Sequence, residues 1–197
     1  MAHVTRRDVV LLFLGIGPGG VAKEGIGGIT RLQKLLYLLE QEENLKPTGD
    51  GFEFEPYKAG PYSERIYDDL EFLENLGLIE SKVAAEATEF EAAEIDRLSF
   101  EDLMGDDSEG SATGSELPAS DAYEERRFCV TEQGVNRIKK ILDSGQYRPI
   151  VDGIRKIKSK YGSYSLSDLL YYVYKNYPDM TTESEIKEKI LRRSHRK

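Results

Sequence analysis

Few residues in this 197-residue chain have the types and spacing that chemistry requires, and the first candidates are glycines near the N-terminus. Gly15, Gly17 and Gly20 follow an apolar run with the G-x-G-x-x-G spacing of a dinucleotide-binding loop. Such a loop needs a helix that begins at its third glycine, so that the helix N-terminus meets a pyrophosphate. Further glycines before residue 29 would break that helix, and no second βαβ unit follows. We therefore interpret residues 15–28 as a flexible connection.

A second candidate is the set Asp69, Glu80 and Lys82, whose residue types match the acidic pair and lysine of a metal-dependent nuclease. Such a site requires carboxylates that converge on a metal ion. Helical spacing predicts that Asp69 lies on the outer face of a helix, whereas Glu80 and Lys82 belong to a strand at a sheet edge. We therefore do not expect these side chains to form a metal site.

The remaining candidates for zinc binding or nucleophilic catalysis are isolated in the sequence. His3 and His195 lie near the chain ends and Cys129 is the single cysteine, so the spacing of a zinc-ligand set is absent. Ser63 lacks the G-x-S-x-G context of a nucleophile elbow and fits a turn or a helix cap. We expect no catalytic residue, no metal and no cofactor, and therefore no enzyme.

The formal charge of −9 is divided unevenly along the chain, and this division separates candidate partners better than the total does. Residues 1–83 carry a net charge of −5, residues 84–125 of −13 and residues 126–197 of +9. Contact with nucleic acid would therefore use the basic C-terminal part. The residues predicted for it are Arg155, Lys156, Lys158, Lys160, Arg192 and Arg193. A solvated helix face and a loose tail are the alternative interpretation.

Six tyrosines accompany these cations and could stack on nucleic-acid bases. They are Tyr161, Tyr164, Tyr171, Tyr172, Tyr174 and Tyr177. We favour a second interpretation, in which several of the rings pack the C-terminal helices onto the core and leave their hydroxyls in water.

The elements that position these residues follow from periodicity and capping signals. Thr5 and Asp8 form a capping box before a buried apolar helix, and leucines within residues 32–39 recur at helical spacing. Phe52 and Phe54 alternate with glutamates, which suggests a short edge strand with both rings facing inward.

Residues 58–79 predict a turn, a helix and the start of a strand, and residues 126–134 predict the returning strand and a helix capped by Thr131. The apolar face of the first of these helices consists of Ile66, Leu70, Leu73 and Leu76. The expected fold is mainly α with a small β-hairpin (α+β). It is a winged helix-turn-helix with an acidic insertion in the wing and C-terminal helices.

Three parts follow from this outline. Residues 1–83 with 126–145 form a winged-helix domain, and residues 146–197 form a basic helical extension. Residues 84–125 form an acidic, largely disordered insertion in the wing, since so much charge with so little apolar content disfavours a packed core. The first half of this insertion interleaves apolar residues with carboxylates, which would suit an amphipathic helix formed on a partner.

Several short motifs in the N-terminal part, taken together, resemble those of a known family. They are Leu32–Tyr37 (LQKLLY), Phe52–Tyr57, Gly60–Ser63 (GPYS) and Tyr67. In this order they resemble the Panacea domain of SocA-like antitoxins and a related group of uncharacterised prokaryotic winged-helix proteins, over roughly residues 29–135. The resemblance implies a non-enzymatic protein that neutralises a toxin or presents a partner to other machinery.

The helix before the wing would normally enter the major groove of DNA, yet its outer face is acidic. The residues predicted on that face are Glu64, Arg65, Asp68, Asp69, Glu71 and Asn75. One cation against four carboxylates repels a duplex, so our first hypothesis is a regulatory or adaptor protein that acts through protein–protein contacts. The predicted partner-binding residues are Glu64, Asp68, Glu71, Phe90, Ile95, Leu98, Phe100 and Leu103.

The second hypothesis is a DNA-binding transcriptional regulator that uses the basic C-terminal part, with the acidic insertion folding over it as a counter-charge. In both cases we expect a cytoplasmic protein, because a lone cysteine fits a reducing compartment and no apolar run is long enough for a membrane span. A homodimer is compatible with the scaffold, although no residue argues for it specifically.

Overall fold

The computed structural model describes residues 5–44, 51–83, 95 and 126–193, and its mainly helical architecture with small antiparallel sheets confirms the expected α+β class. The α-helices of this part are α1 (Arg6–Gly15), α2 (Ile29–Glu42), α3 (Arg65–Asn75), α4 (Glu132–Asp143), α5 (Arg148–Tyr161), α6 (Leu166–Asn176) and α7 (Lys187–Arg193). The strands are β1 (Ile16–Gly17), β2 (Gly20–Val21), β3 (Ile26–Gly27), β4 (Ile79–Val83) and β5 (Arg126–Val130). A 3₁₀ turn covers Pro178–Thr181.

Hydroxyl side chains begin three of the helices, at Thr5 and Thr131 as the sequence predicts and also at Ser165. Thr5 accepts a hydrogen bond from the amide of Asp8 at the start of α1, and Thr131 accepts one from Gly134 at the start of α4. Ser165 does the same at the start of α6. Each hydroxyl satisfies one amide that the first helical turn leaves without a partner.

The predicted hairpin strands β4 and β5 pair antiparallel, from Ile79 opposite Val130 to Val83 opposite Arg126. A third strand, β3, lies on the other side of β5, so the sheet order is β3-β5-β4. The interpretation of residues 15–28 as a flexible connection is wrong for β3, because this strand pairs with β5. Strands β1 and β2 form a separate hairpin across the G-x-G-x-x-G spacing, so no helix begins at Gly20.

The segment around Phe52 is not the edge strand that was predicted. It contributes a single bridge, in which Glu55 and Tyr62 exchange backbone hydrogen bonds. Phe52 is nevertheless buried as expected, whereas Phe54 is only partly buried and packs edge-on against Tyr37.

Helix α1 is the centre of the structure, because all seven residues from Val9 to Gly15 are buried. A helix that is apolar on every side must be enclosed by other elements. Helices α3, α4 and α5 and strand β5 surround it, and α5 and α6 also pack on α2. The helices after residue 146 therefore share one hydrophobic core with the N-terminal part.

A buried ion pair joins α1 to α3. Asp69 is fully buried, and its carboxylate accepts hydrogen bonds from the Arg6 guanidinium at 2.5 and 3.1 Å. Arg7 lies 3.4 Å from the same carboxylate. The expectation that Asp69 faces outward is wrong, because the basic start of α1 supplies the counter-charge that a carboxylate needs in a buried position.

Asp69→Asn should destabilise the protein by about 3 kcal/mol, since it removes the buried carboxylate charge that Arg6 and Arg7 contact. The neighbouring Asp68→Asn makes the same chemical change at an exposed position and should alter stability by less than about 0.5 kcal/mol. Urea unfolding at pH 7 measures both free energies of unfolding. Equal effects of the two substitutions would contradict the ion pair.

Gly134 permits the close contact between α4 and the turn that joins α3 to β4. A Cβ atom at this position would overlap the carbonyl oxygen of Leu78 and lie 2.6 Å from Cγ1 of Val130. Glycine is therefore required here by packing, despite its low helix propensity.

Gly134→Ala should lower the free energy of unfolding by about 2 kcal/mol, because the gain in helix propensity is smaller than the cost of overpacking. Gly19→Ala is the matched control, since a Cβ atom there meets nothing within 4 Å. Thermal and urea unfolding of both variants would measure the difference, and an unchanged Gly134→Ala protein would show that α4 can move away from Leu78.

Candidate functional site

The LQKLLY motif, the segment at Phe52 and the GPYS turn meet in one buried polar network. On α2, the side-chain oxygen of Gln33 accepts a hydrogen bond from the Ser63 amide at 2.7 Å, and Nζ of Lys34 donates to the Pro61 carbonyl at 2.9 Å. The Ser63 hydroxyl donates to the Phe52 carbonyl. All of these side chains are buried. The network ties the turn before α3 to α2, and it gives Ser63 a structural role.

Helix α3 presents an acidic ridge to solvent. Glu64, Asp68 and Glu71 are exposed, as the sequence predicts, while Ile66, Leu70 and Leu73 face the core. Arg65 is the single cation of this helix, and its guanidinium pairs with Glu53 at 2.6 Å. The outer side of α3 therefore carries negative charge that no cation of the same helix offsets.

Two apolar side chains continue this ridge toward α1. Phe72 is 38% exposed and Leu76 is 48% exposed, and they follow Asp68 at successive helical turns. Leu76 was predicted to face inward. That prediction is wrong because α3 ends at Asn75, and the chain turns at Gly77 with φ of +67°. We call Glu64, Asp68, Glu71, Phe72 and Leu76 the α3 contact face.

A groove of about 620 Å³ separates this face from α1 and α4. Its arginines meet partners within the chain: Arg7 stacks 3.7 Å above the Phe72 ring beside Asp69, and Arg137 lies 3.4 Å from the carboxylate of Asp8. The apolar side chains at the rim of the groove therefore adjoin arginines that are already partnered.

The other predicted partner-binding residues lie in the acidic insertion. Phe90, Leu98, Phe100 and Leu103 fall outside the described residues. Ile95 is helical and only 2% exposed, and it belongs to the hydrophobic core. Its side chain is therefore enclosed by this chain and does not present a surface to a partner.

Most of the cations predicted for nucleic acid meet carboxylates of the same chain. The nitrogen–oxygen distances are 3.5 Å for Arg155–Asp152, 2.8 Å for Lys156–Glu43, 2.9 Å for Lys160–Glu42 and 2.6 Å for Arg192–Glu188. The side chain of Arg193 lies outside the described part. Exposed pairs of this kind are individually weak, so they reduce the attraction of this surface for phosphate without abolishing it.

Glu42 is the centre of a polar cluster that includes two of the tyrosines. Its carboxylate accepts hydrogen bonds from the hydroxyls of Tyr161 and Tyr172 as well as from Lys160. Burial by itself would raise the pKa of Glu42, but these hydrogen bonds outweigh it and lower the pKa. The tyrosines pack on the core as we favoured, and these two hydroxyls bond to a carboxylate in place of water.

Lys158 differs from its neighbours on α5. Its Nζ donates to the carbonyl of Ile16 at 2.6 Å and lies 5.2 Å from the centre of the Phe13 ring. Burial lowers the pKa of Lys158 to about 8, because no carboxylate of the described residues pairs with the ammonium.

The residues that the sequence offered as a metal-dependent nuclease site do not converge in the structure. Asp69 is paired with Arg6, while Glu80 and Lys82 pair with each other on β4. Within the described residues, no three His, Cys, Asp or Glu side chains are grouped so that they could hold a metal ion. None of the described helices has the length and apolar character needed to cross a membrane.

No protein-family model, curated protein or solved structure matches the chain. We therefore infer the function from the geometry of the α3 contact face and from the ion pairs of the cations on α5.

Two lysines on α5 should titrate far apart. Lys158 should have a pKa of about 8, whereas the hydrogen bond to Glu42 raises the pKa of Lys160 above its ordinary value. NMR titration of protein labelled with ¹³C-lysine, assigned with Lys158→Arg and Lys160→Arg, would measure both. A Lys158 that titrates together with Lys160 would show that its ammonium is not desolvated.

Proposed function

We propose that this chain is a non-enzymatic winged-helix protein of the antitoxin-like type, a regulator or adaptor that acts through protein–protein contacts. The order of its elements supports the scaffold: α1, β3, α2 and α3 precede the antiparallel pair β4 and β5, and β3 completes a sheet of order β3-β5-β4. In such a scaffold α3 is the helix before the wing, and residues 84–125 lie in the sequence between the two wing strands.

The observation that carries the proposal is the composition of the α3 contact face. Three exposed carboxylates lie beside the exposed side chains of Phe72 and Leu76. Carboxylates in this position repel a phosphate backbone, whereas exposed aromatic and aliphatic side chains within a polar rim are typical of protein interfaces. This surface therefore suits a polypeptide better than a duplex.

The charges and apolar side chains of the α3 contact face indicate what kind of surface a partner would have. Its interface would carry an apolar side chain or pocket that covers Phe72 and Leu76, next to lysines or arginines that meet Glu64, Asp68 and Glu71. The apolar residues of the acidic insertion, Phe90, Leu98, Phe100 and Leu103, stay a second predicted contact segment on compositional grounds.

DNA binding through Arg155, Lys156 and Lys160 is the competing function. The intrachain carboxylates that face these cations argue against it, because each contact with phosphate would displace an existing ion pair. Its signature would be an affinity that falls steeply with salt, since bound counterions are released from the duplex.

The test compares matched surface variants of the full chain in affinity capture from native lysate. Phe72→Ser and Leu76→Ser should each weaken retention of the captured partner at least about tenfold, because truncated anchors at an interface cost more than about 1 kcal/mol. Val83→Ser is the control, since Val83 is 54% exposed on the wing strand and lies outside the contact face.

A parallel measurement records binding to duplex DNA between about 50 and 200 mM salt. We expect weak binding that the variants of α3 do not change. Tight, salt-sensitive DNA binding that is lost in Arg155→Gln and Lys156→Gln, together with equal protein capture by all α3 variants, would overturn the proposal.

A further inference from the structure

A second concave surface lies between the glycine-rich connection and the turn that joins α5 to α6. It has a volume of about 780 Å³, within the range of sites that hold small organic molecules. One wall is backbone from Gly17 to Gly28, and the opposite wall includes Ser159 and Ser163. The lining belongs to β5, α2, α5 and the start of α6, and it does not include the α3 contact face.

Cations from three different elements line this cleft. They are Arg31 of α2, Arg127 of β5 and Lys158 of α5, and the carboxylate among the lining residues is that of Glu24. The lining is therefore positively charged within a chain whose total charge is −9. This excess of cations in the cleft is opposite in sign to the net charge of the chain.

Arg127 and Lys158 interact with backbone oxygens, in contrast to the ion-paired lysines on the outer side of α5. Arg127 donates to the Glu24 carbonyl at 3.4 Å, and Lys158 donates to the Ile16 carbonyl at 2.6 Å. Within the described residues, neither cation lies within ion-pair distance of a carboxylate. A partly buried cation without a counter-ion is electrostatically unfavourable, and an anion in the cleft would relieve that cost.

The backbone adds to this positive potential. Gly28 caps α2 without a side-chain hydrogen bond and lines the cleft, so the positive end of that helix dipole lies beside the cleft. Gly25 is required both by its φ of +65° and by packing, because a Cβ atom there would overlap the Phe128 carbonyl. Its role is to bring the connection against β5, which forms this wall of the cleft.

We propose that this cleft binds a small organic phosphate, with Arg127 and Lys158 as ligands of the phosphate group. Arginine suits a phosphate because its planar guanidinium can donate two parallel hydrogen bonds, and a lysine adds a point charge. Leu14, Ile26, Leu35 and Leu166 supply apolar contacts for the organic part, which a cleft of this size accommodates together with the phosphate.

The experiment uses the full chain at pH 7.5 with three probes: adenosine monophosphate, inorganic phosphate and adenosine. Isothermal titration calorimetry should show the tightest binding for adenosine monophosphate, weaker binding for inorganic phosphate and none for adenosine. Arg127→Gln and Lys158→Gln should each lower the affinity for adenosine monophosphate by about tenfold or more, because each removes a charged hydrogen bond.

Lys156→Gln is the matched control, since Lys156 is an exposed lysine of the same helix that pairs with Glu43 outside the cleft. Its affinity for adenosine monophosphate should match that of the wild type. A second readout on the unmodified protein is the ¹³C titration of Lys158, whose pKa should rise when adenosine monophosphate binds.

Several results would overturn the phosphate site. They are the absence of binding by adenosine monophosphate and inorganic phosphate, equal affinity in the Arg127→Gln protein, or a Lys158 pKa that the nucleotide does not change. Binding of adenosine as tight as that of its monophosphate would also overturn it, because the cleft would then recognise the apolar part alone. These outcomes are independent of whether the α3 contact face binds a protein.

Discussion

The ion pair between Asp69 and the start of α1 determines which side of α3 faces solvent. A fully buried carboxylate must face its counter-charge, so the pair fixes how α3 is rotated about its own axis. With Asp69 turned toward Arg6, the row Glu64, Asp68, Phe72 and Leu76 faces solvent. The charge and the apolar content of the contact face thus follow from one electrostatic requirement inside the protein.

The distribution of positive charge shows how little a net charge says about a surface. The C-terminal part carries +9, yet the cations along the outer side of α5 meet Asp152, Glu42 and Glu43. Arg127 and Lys158, in contrast, lie in a cleft where backbone carbonyls are their partners. Within the described residues, the cations of α5 are thus divided between ion pairs on its outer side and a cleft in which Lys158 meets a backbone carbonyl.

The short motifs on α2 and in the turn before α3 have a physical role in the fold. Lys34 and Gln33 need buried hydrogen-bond partners, and Pro61 and Ser63 supply them from the turn before α3. The GPYS turn is thus held by α2 and not by sequence-local contacts. Such a network explains why these motifs occur together, and it sets where α3 begins.

Local sequence patterns suffice to predict the helix caps, the strands β4 and β5 and the exposed carboxylates of α3. Thr5, Thr131 and Ser165 cap helices because their hydroxyls reach amides three residues away, and β4 and β5 follow from apolar runs bounded by turn residues. The exposed Glu64, Asp68 and Glu71 of the contact face were likewise predictable from helical spacing. Tertiary contacts set the burial of Asp69, the strand β3 and the partners of Lys156, Lys158 and Lys160. Each of those depends on residues distant in sequence, so no local pattern encodes it.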